Sequence, residues 1–317
     1  NLDKLMYNVG VLPLEGFALM SYASVVEPLR AANLLNGEPI YKITNITISN
    51  SCIESSSGAF ITSDNLIGEV KNLDLLIVIA GGDPFLVSDK RLFSWLKRLA
   101  KFGTTVGGVS GGPVVLVKAG LMKDRRMTVH WEHAEGLVEL SPDILLERNL
   151  YVIDRDRMTC AGGTAPLDMM LAVITSRQGA VFAQYVSDWF LHTEIRPSGG
   201  AQRSGLVSRV GTHNSIVLSS IELMENHLGD PLTLAQLAEL VSISERQINR
   251  VFRNSLGKST MAYYRDLRTE KARNLLKNSS LKVSEIAEAT GFSNPSHLTV
   301  AFTQKYGCSP SRYRLAN

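Results

Sequence analysis

The chain has 317 residues, of which 44% are hydrophobic and 20% charged, so it is long enough for two domains that each bury a core. We expect no membrane partner, because no apolar run approaches the roughly 18 residues that a membrane span needs. The formal net charge of +3 is unevenly distributed along the chain. Residues 193–317 hold 16 Lys and Arg against 10 Asp and Glu and are positive, whereas residues 1–192 hold the remaining 17 against 20 and are negative. A basic C-terminal end is typical of a nucleic-acid binder, and the alternative is a solvated basic surface.

The N-terminal region alternates strand-like and helix-like stretches. Strands are predicted at Tyr7–Leu12, Lys42–Ile48, Leu75–Ile79, Thr105–Val109, Met127–His130 and Met158–Cys160. Helices are predicted at Tyr22–Leu35, Arg91–Lys101, Pro113–Ala119, Pro166–Ser176 and Gly179–His192. This alternation predicts an α/β sandwich with a mostly parallel sheet.

One of these strands runs into a glycine-rich turn, Gly108-Val-Ser-Gly-Gly-Pro113. This is the layout of a nucleophile elbow, in which glycines permit a sharp turn that presents the central Ser110. His130 follows twenty residues later, in Met127-Thr-Val-His-Trp-Glu132. Because a serine and a histidine are the working pair of many hydrolases, one hypothesis is an active hydrolase or amidase.

A polar stretch separates this region from the C-terminal one. The residues from Arg196 to Gly205 include three Gly and one Pro and show no apolar period, which is typical of a linker. We therefore predict domains at residues 1–192 and 214–317, joined by a linker at 193–213. Beyond Thr212 the apolar pattern is helical throughout.

The C-terminal region contains an internal repeat with an offset of fifty residues. Phe252, Gly257, Thr260 and Tyr263 recur as Phe302, Gly307, Pro310 and Tyr313. Upstream of each Phe, a short helix with a small residue on its buried side precedes a turn and a second helix. Helices that cross at about 90–120° need a small side chain at the contact and a turn-tolerant residue between them. Each copy therefore predicts a helix-turn-helix unit.

The two copies supply these features with different residues. In the first, the apolar face is Leu234, Leu237, Ala238 and Val241, the turn is 242–244, and the second helix is Glu245–Asn254. In the second, the face is Val283, Ile286 and Ala287, the turn contains Gly291, and the second helix is Asn294–Lys305. Ser244 is a good N-cap for the first of these helices, and Asn294 before Pro295 caps the other.

The run from Gly291 to Arg314, Gly-Phe-Ser-Asn-Pro-Ser-His-Leu-Thr-Val-Ala-Phe-Thr-Gln-Lys-Tyr-Gly-Cys-Ser-Pro-Ser-Arg-Tyr-Arg, follows the signature of the AraC family nearly throughout. Residues 214–317 therefore resemble the AraC-type DNA-binding domain. The resemblance implies an all-α bundle of seven helices with two helix-turn-helix motifs. Their recognition helices would enter successive major-groove segments of double-stranded DNA about one helical turn apart.

Helix phase identifies the side of each recognition helix that faces DNA, since Ile248, Val251 and Phe252 must point inward on the first. The expected DNA-side residues are Arg246, Gln247, Asn249 and Arg250, followed on the second helix by Ser296, His297, Thr299 and Val300. Arg246, Asn249 and Arg250 match base-reading positions of the family, and such side chains contact guanine and adenine edges. The alternative for each residue is a phosphate contact or a solvated surface. Val300 stands where the family often has a basic residue, which predicts weaker or shape-based reading by the second helix.

The N-terminal motifs resemble a second family. Ala80-Gly-Gly-Asp83, Gly108–Pro113 and Thr128-Val-His-Trp131 are similar to class I glutamine amidotransferase-like proteins, which implies a flavodoxin-like α/β sandwich. Enzymes of that superfamily carry Cys at the elbow, where this chain has Ser110. Because a neighbouring His activates a thiol far more easily than a hydroxyl, we expect a sensor and not an enzyme.

Fusion of this domain to AraC-type helices is a known architecture, so the resemblance covers almost the whole chain. Three motifs, Glu27-Pro-Leu-Arg-Ala-Ala-Asn33, Val129-His-Trp-Glu132 and Gly162-Gly-Thr-Ala-Pro-Leu-Asp-Met-Met170, look most like one branch of these regulators. That branch responds to small nitrogenous metabolites such as glycine betaine, carnitine or arginine. The resemblance implies that residues 1–192 sense a ligand and dimerise.

The expected effector-binding residues are Glu27, Gly81, Gly82, Ser110, Gly111, His130, Trp131, Glu132 and Thr164. Backbone N–H groups near a helix N-terminus suit a carboxylate, and Trp131 with Glu27 or Glu132 suits a cationic head. Each side chain has a structural alternative. Trp131 is then core packing, His130 a structural histidine, Glu132 a surface charge and Thr164 a helix cap.

We therefore expect a cytoplasmic homodimer that binds double-stranded DNA and a small-molecule effector and, as an activator, RNA polymerase. Cys52, Cys160 and Cys308 are far apart, which fits a reducing compartment. Without a cluster of metal-ligand spacing, neither a metal nor a cofactor is expected. Two alternatives stay open: an active Ser/His hydrolase or amidase fused to a DNA-binding domain, and a DNA-binding protein whose N-terminal domain only dimerises.

Overall fold

The structure is a computed structural model that describes residues 6–49, 51–70, 72–203, 205–279 and 281–315. The chain divides into two compact units, Asn1–Gln202 and Arg203–Asn317. Within the described ranges, no helix is both long and apolar enough to cross a membrane. The same ranges contain no group of three or more His, Cys, Asp or Glu residues placed to hold a metal ion.

The first unit is built on a seven-stranded sheet. The strands of the unit are β1 (Tyr7–Pro13), β2 (Tyr41–Thr47), β3 (Cys52–Glu54), β4 (Phe60–Thr62), β5 (Asn65–Leu66), β6 (Leu75–Ala80), β7 (Thr105–Ser110), β8 (Arg126–Met127), β9 (Leu145–Leu146), β10 (Tyr151–Asp154) and β11 (Arg157–Cys160). The large sheet has the order β10-β11-β7-β6-β1-β2-β5, while β3 pairs with β4 and β8 with β9. Only β10 runs antiparallel to its neighbour in the large sheet. The carboxyl ends of β6 and β7 therefore meet, with Ala80 opposite Ser110.

Helices cover both faces of this sheet. They are α1 (Leu19–Asn36), α2 (Lys90–Lys101), α3 (Gly112–Lys118), α4 (Ala134–Leu140), α5 (Ala165–Gln178) and α6 (Ala180–Trp189). The fully buried β6 sends Leu75, Ile77 and Ile79 to the core beneath α1, α5 and α6, and Leu76 and Val78 to the core beneath α2 and α3. Such two-sided burial is typical of a central parallel strand. The predicted α/β sandwich is confirmed.

One predicted strand is wrong over most of its length. Strand character in Met127–His130 ends at Met127, because Thr128 uses its polar groups on side-chain contacts. The Thr128 N–H donates to the Thr159 hydroxyl at 2.9 Å, and the Thr128 hydroxyl donates to the Asn149 carbonyl at 2.7 Å. Strand β10 was not predicted; it joins β11 through a two-residue turn at Arg155 and Asp156.

The predicted linker is more ordered than its composition indicates. Arg196 donates to the buried Asp168 through its backbone and guanidinium groups. Gln202 Nε2 lies 2.7–3.1 Å from three oxygen acceptors in the first unit. Residues 206–210 form a short helix of the second unit. We refer to residues 193–202 as the anchor segment, because they are held on the first unit.

The described residues of the second unit contain helices and no strand. The helices are α7 (Leu206–Val210), α8 (Ser215–Asn226), α9 (Leu234–Leu240), α10 (Glu245–Leu256), α11 (Thr260–Asn278), α12 (Val283–Ala289), α13 (Pro295–Tyr306) and α14 (Pro310–Leu315). They enclose two cores, and α11 contributes Tyr264 to the first and Leu275 and Leu276 to the second. The all-α prediction for this region is confirmed, and α8–α14 supply the seven expected helices.

Candidate functional site

The fifty-residue repeat corresponds to two copies of one packing arrangement. In the first, the buried Phe252 meets Tyr263 edge-on, with ring centroids 5.8 Å apart, and in the second Phe302 meets Tyr313 at 5.4 Å. Gly257 and Gly307 follow α10 and α13 in the left-handed conformation, with φ of 68° and 74°. Glycine suits this position because it has no Cβ to clash.

The turns before α10 and α13 differ in length and chemistry. Ser242 takes the left-handed conformation in the first copy, with φ of 57°, and Gly291 does so in the second. Three further positions lead to the start of α10, and four lead to α13. Gly291 is also required by space, because a Cβ there would lie 2.5 Å from Pro231 Cδ. Ala238 and Ala287, the predicted small residues, are both buried.

The N-terminus of each recognition helix is capped as predicted. Ser244 Oγ accepts from the Gln247 N–H, and Gln247 Oε1 accepts from the Ser244 N–H, which together form a capping box. Asn294 Oδ1 accepts from the His297 N–H at 2.9 Å. The Gln247 side chain is therefore occupied by a structural role at the helix start.

The exposed face of α10 is dominated by arginine. Arg246 and Arg250 are exposed as expected, and the structure adds Arg253, one turn further along the same face. None of the three guanidinium groups forms an ion pair or a hydrogen bond with another described residue of the second unit. Asn249 differs, because it is half-buried and its Oδ1 accepts from the Thr260 N–H at 3.1 Å. The face offers three free guanidinium groups for an anionic partner.

The corresponding face of α13 has no free basic side chain among the described residues. Ser296 and His297 are exposed, Val300 is 67% exposed, and Thr299 is half-buried with its hydroxyl bonded to the Pro295 carbonyl. Lys305 is bonded instead to Glu270 and to the Asp266 carbonyl of α11. His297 Nδ1 lies 2.6 Å from Ser293 Oγ.

In the first unit, Ser110 adopts the backbone conformation of an elbow. Its φ is 60°, which is rare outside glycine, and the residue is buried, with 8% of its surface exposed. Gly162, which follows β11, lies so close that a Cβ added there would be 2.8 Å from Ser110 Cβ. The loop after β11 thus closes one side of the elbow.

The glycines around the elbow contribute differently to an anion site. The Gly111 N–H, expected to face the ligand, donates to the Ala80 carbonyl at 3.0 Å and is therefore occupied. Gly81 lies against the loop after β1, where a Cβ would be 2.3 Å from the Gly16 carbonyl oxygen. Gly82 follows in the left-handed conformation with open space around its Cα.

His130 lies beside the elbow, and its backbone N–H donates to the Ser110 carbonyl at 3.4 Å. Burial lowers the pKa of His130, against the opposing charge of Glu132, so the imidazole is neutral at pH 7. Its Nδ1 lies 3.3 Å from the Glu132 backbone nitrogen and 3.7 Å from Glu132 Oε2. Among the described contacts, Nδ1 of the ring meets Glu132 and not the Ser110 hydroxyl. Trp131 is half-buried, with its ring centroid 5.2 Å from that of His130.

Glu27 and Thr164 are engaged elsewhere. Glu27 lies eight residues into α1, about 12 Å along the axis from its start, and pairs with Arg30 at 2.6 Å. Among the described contacts, none joins Glu27 to the elbow. Thr164 precedes α5 without capping it, and its hydroxyl accepts from Arg196 Nη2 at 2.9 Å. The helix-cap alternative for Thr164 is therefore wrong.

Comparison with known proteins agrees with this geometry. Residues 9–176 match the DJ-1/PfpI family, and residues 237–316 match a helix-turn-helix domain family. The HTH-type transcriptional regulator GlxA of Rhizobium meliloti is 40% identical over 96% of this chain and 95% of its own length. For CdhR of Pseudomonas aeruginosa, also an HTH-type transcriptional regulator, the identity is 37% over 96% of this chain and 90% of CdhR.

The chain belongs to these HTH-type transcriptional regulators, and its first unit belongs to the DJ-1/PfpI family. A crystal structure of an AraC family transcriptional regulator from Pseudomonas putida has a TM-score of 0.53 and 26% identity. It covers 58% of this chain and 99% of its own. Both resemblances drawn from the sequence are confirmed. The regulator is a DNA-binding protein with a DJ-1/PfpI sensor domain.

The regulator also contains a buried ionic cluster that the sequence analysis missed. Asp168 of α5 is fully buried, and its Oδ1 accepts from His192 Nε2 at 2.9 Å. Its Oδ2 accepts from Arg196 Nε and Nη2 at 2.9 and 2.6 Å. A buried carboxylate needs such partners, because an uncompensated charge is costly away from water. The cluster fixes the start of the anchor segment.

The anchor segment of the regulator touches both loops that flank the elbow. Arg196 bonds Thr164, two residues after Gly162. Gln202 bonds the Thr128 hydroxyl and the Val129 carbonyl, directly before His130. No local pattern could reveal these contacts, because they join residues separated by 32 to 74 positions. Arg253, by contrast, could have been found by extending the helix phase of α10 by one turn.

Proposed function

We propose that the regulator is a cytoplasmic homodimer that activates transcription when a small nitrogenous metabolite with a carboxylate binds at the elbow. Its DNA contacts lie on α10 and α13, with base reading by Arg246 and Arg250. Two subunits would present four recognition helices to paired half-sites. A cytoplasmic location follows from the position of the bacterial chromosome, and contact with RNA polymerase follows from activation.

The observation that carries the sensor proposal is the attachment of the anchor segment to the elbow. Arg196 and Gln202 hold the segment that leads to the second unit against the loops at Thr164 and Thr128. A ligand beside Ser110 that moves either loop must change these hydrogen bonds. An elbow serving only as a dimerisation scaffold would not need such connections.

The effector chemistry rests on the groups that surround the elbow. Gly82 offers backbone without a Cβ next to open space, and Ser110 offers a hydroxyl. Trp131 and Glu132 lie on the loop beside them and suit a cationic head by cation–π and Coulomb attraction. The Gly111 N–H is not part of this proposal, because it is bonded to Ala80.

A thermal-shift screen tests the sensor. The three Trp residues, Trp95, Trp131 and Trp189, all precede residue 203, so tryptophan fluorescence follows the first unit alone. A ligand at 100 times its Kd stabilises its domain by about 2.7 kcal/mol. We expect glycine betaine, carnitine or arginine to raise the unfolding midpoint. No shift with any of these three would remove the proposed effector class.

Two substitutions separate this function from its rivals. We expect Ser110→Ala to weaken the effector response through loss of one hydrogen bond but to retain ligand-dependent transcription at saturating effector, whereas a working hydrolase would lose its activity. Gln202→Ala is expected to keep the ligand-induced thermal shift and lose the ligand effect on DNA affinity. The control is Gln184→Ala, which breaks only an exposed bond to Asp188 on α6. Equal responses of Gln202→Ala and the control would leave the elbow uncoupled from DNA binding.

A further inference from the structure

The N-terminus of α11 is capped by a side chain from the recognition helix before it. The Thr260 N–H, the first of α11, donates to Asn249 Oδ1 at 3.1 Å. The residue in the usual capping place, Ser259, makes no side-chain hydrogen bond to the helix. Thr260 is fully buried, and its own hydroxyl has no partner among the described residues. Asn249 therefore satisfies a helix donor that has no local acceptor.

This contact conflicts with a base-reading role for Asn249. An asparagine that recognises adenine uses its oxygen and its nitrogen together, and here the oxygen is already bonded to Thr260. The side chain is also half-buried, while Arg246 and Arg250 on the same helix are exposed. The amide oxygen is therefore committed to the neighbouring helix, although Asn249 shares its face of α10 with the two arginines.

We propose that Asn249 is a positioning residue that locks α10 to the start of α11 and so fixes the angle at which Arg246 and Arg250 meet DNA. The inference rests on the proposed DNA contacts of α10. Asn249 sits between the two arginines, one turn before Arg253. Loss of its bond would let the helix pivot about the buried Phe252, which the lock otherwise prevents.

The second helix-turn-helix unit lacks this lock for a chemical reason. Thr299 stands fifty positions after Asn249, and Pro310 stands fifty after Thr260. Proline has no N–H to donate, and the Thr299 hydroxyl bonds the Pro295 carbonyl within its own helix. The lock thus belongs to the unit that carries the three free arginines.

The test uses the full chain and a library of random-sequence DNA duplexes from which bound sites are selected. Asn249→Ala removes the acceptor. Thr260→Pro removes the donor and leaves Asn249 intact, at a first helical position where proline is tolerated. Each is expected to lower affinity about fivefold for all selected sites, the size of losing one helix cap, with unchanged base preference. The double variant is expected to be no weaker than either single one.

DNA affinity is measured at a temperature where far-UV circular dichroism shows every variant folded. If Asn249 only stabilised the fold, its substitution would leave the DNA affinity unchanged under these conditions. The control is Arg250→Ala, which is expected to alter base preference. If Asn249→Ala instead changes the preferred base at one position while Thr260→Pro does not, Asn249 reads that base and the proposal is overturned. If Arg250→Ala also leaves base preference unaltered, the proposed contacts of α10 fail, independently of the lock.

Discussion

The two helix-turn-helix units share a buried pattern and differ on the surface. Phe252 and Phe302 pack against equivalent tyrosines, and both recognition helices end at a left-handed glycine. The arginines of the first helix-turn-helix, at 246, 250 and 253, are replaced fifty positions later by Ser296, Val300 and Thr303. A duplicated fold thus keeps its core because packing tolerates little change, while the surface is free to assign the two copies unequal shares of one task.

The largest expected effect concerns the buried phenylalanines that the two helix-turn-helix units share. Phe252→Ala and Phe302→Ala each empty a fully buried site and should each cost about 3–5 kcal/mol of folding free energy. Far-UV circular dichroism during chemical unfolding reports the whole chain. Tryptophan fluorescence reports residues 1–202 alone and serves as an internal control. A loss confined to one of the two variants would show that the cores are not equivalent.

The next effect should show a difference between the two helix-turn-helix units in how strongly they bind DNA. Arg250→Ala is expected to weaken DNA binding by about 1–3 kcal/mol and to relax specificity at one base pair. Val300→Ala, at the equivalent place, should change the affinity by less than about 0.5 kcal/mol, as for an ordinary surface position. Fluorescence anisotropy at one fixed salt concentration compares them. Equal losses would mean that both helices read bases with similar strength.

A smaller difference is expected in the salt dependence. If Arg253 neutralises one phosphate, Arg253→Ala should reduce the slope of log affinity against log salt by about 0.9. Thr303→Ala, the matched change on α13, should leave the slope as it is. The titration is repeated on unrelated DNA, where the same reduction is expected because a phosphate contact carries no sequence information.

The smallest expected effect comes from the ion pairs of Glu270 on α11. Burial opposes ionisation of Glu270, but hydrogen bonds from Tyr306 and Lys305 and the charge of Arg273 outweigh it and lower the pKa. Because the carboxylate is favoured in the folded state, its contribution is complete above pH 4.5 and is lost as the pH falls through the lowered pKa. Glu270→Gln should cost less than about 1 kcal/mol at pH 7, a difference that disappears in acid. Unfolding curves at pH 7 and at a series of lower pH values test this, with the difference expected to shrink as the pH falls below 4.5.

Local patterns were sufficient for much of the molecule. The run Leu75–Ile79 predicts a strand because every residue is apolar, and the helix at Arg91–Lys101 is predicted from the spacing of Leu92, Leu96 and Leu99. The caps Ser244 and Asn294 follow from their place before an apolar period. These features depend on neighbours in sequence, so the sequence contains their explanation.

Features that depend on distant partners could not be predicted. The segment around Arg196 has a linker composition, yet it is fixed by Asp168, 28 positions away. Asn249 has the helix phase of a DNA contact, and only the fold shows that its oxygen is bonded to Thr260. Thr128 belongs to an apolar run but bonds Asn149, which ends the strand. In each case a tertiary hydrogen bond overrides the local pattern.

The close approach of Gly162 to Ser110 has a consequence for directed evolution of new effector responses. A Cβ added at 162 would lie 2.8 Å from Ser110 Cβ, so position 162 has to stay glycine. Thr164 is exposed on the same loop, but its hydroxyl bonds Arg196 of the anchor segment, so changes there would also disturb the proposed coupling to DNA binding. A library that keeps Gly162, Ser110 and Thr164 fixed and randomises positions 131 and 132 therefore explores ligand preference while it leaves the anchor segment attached.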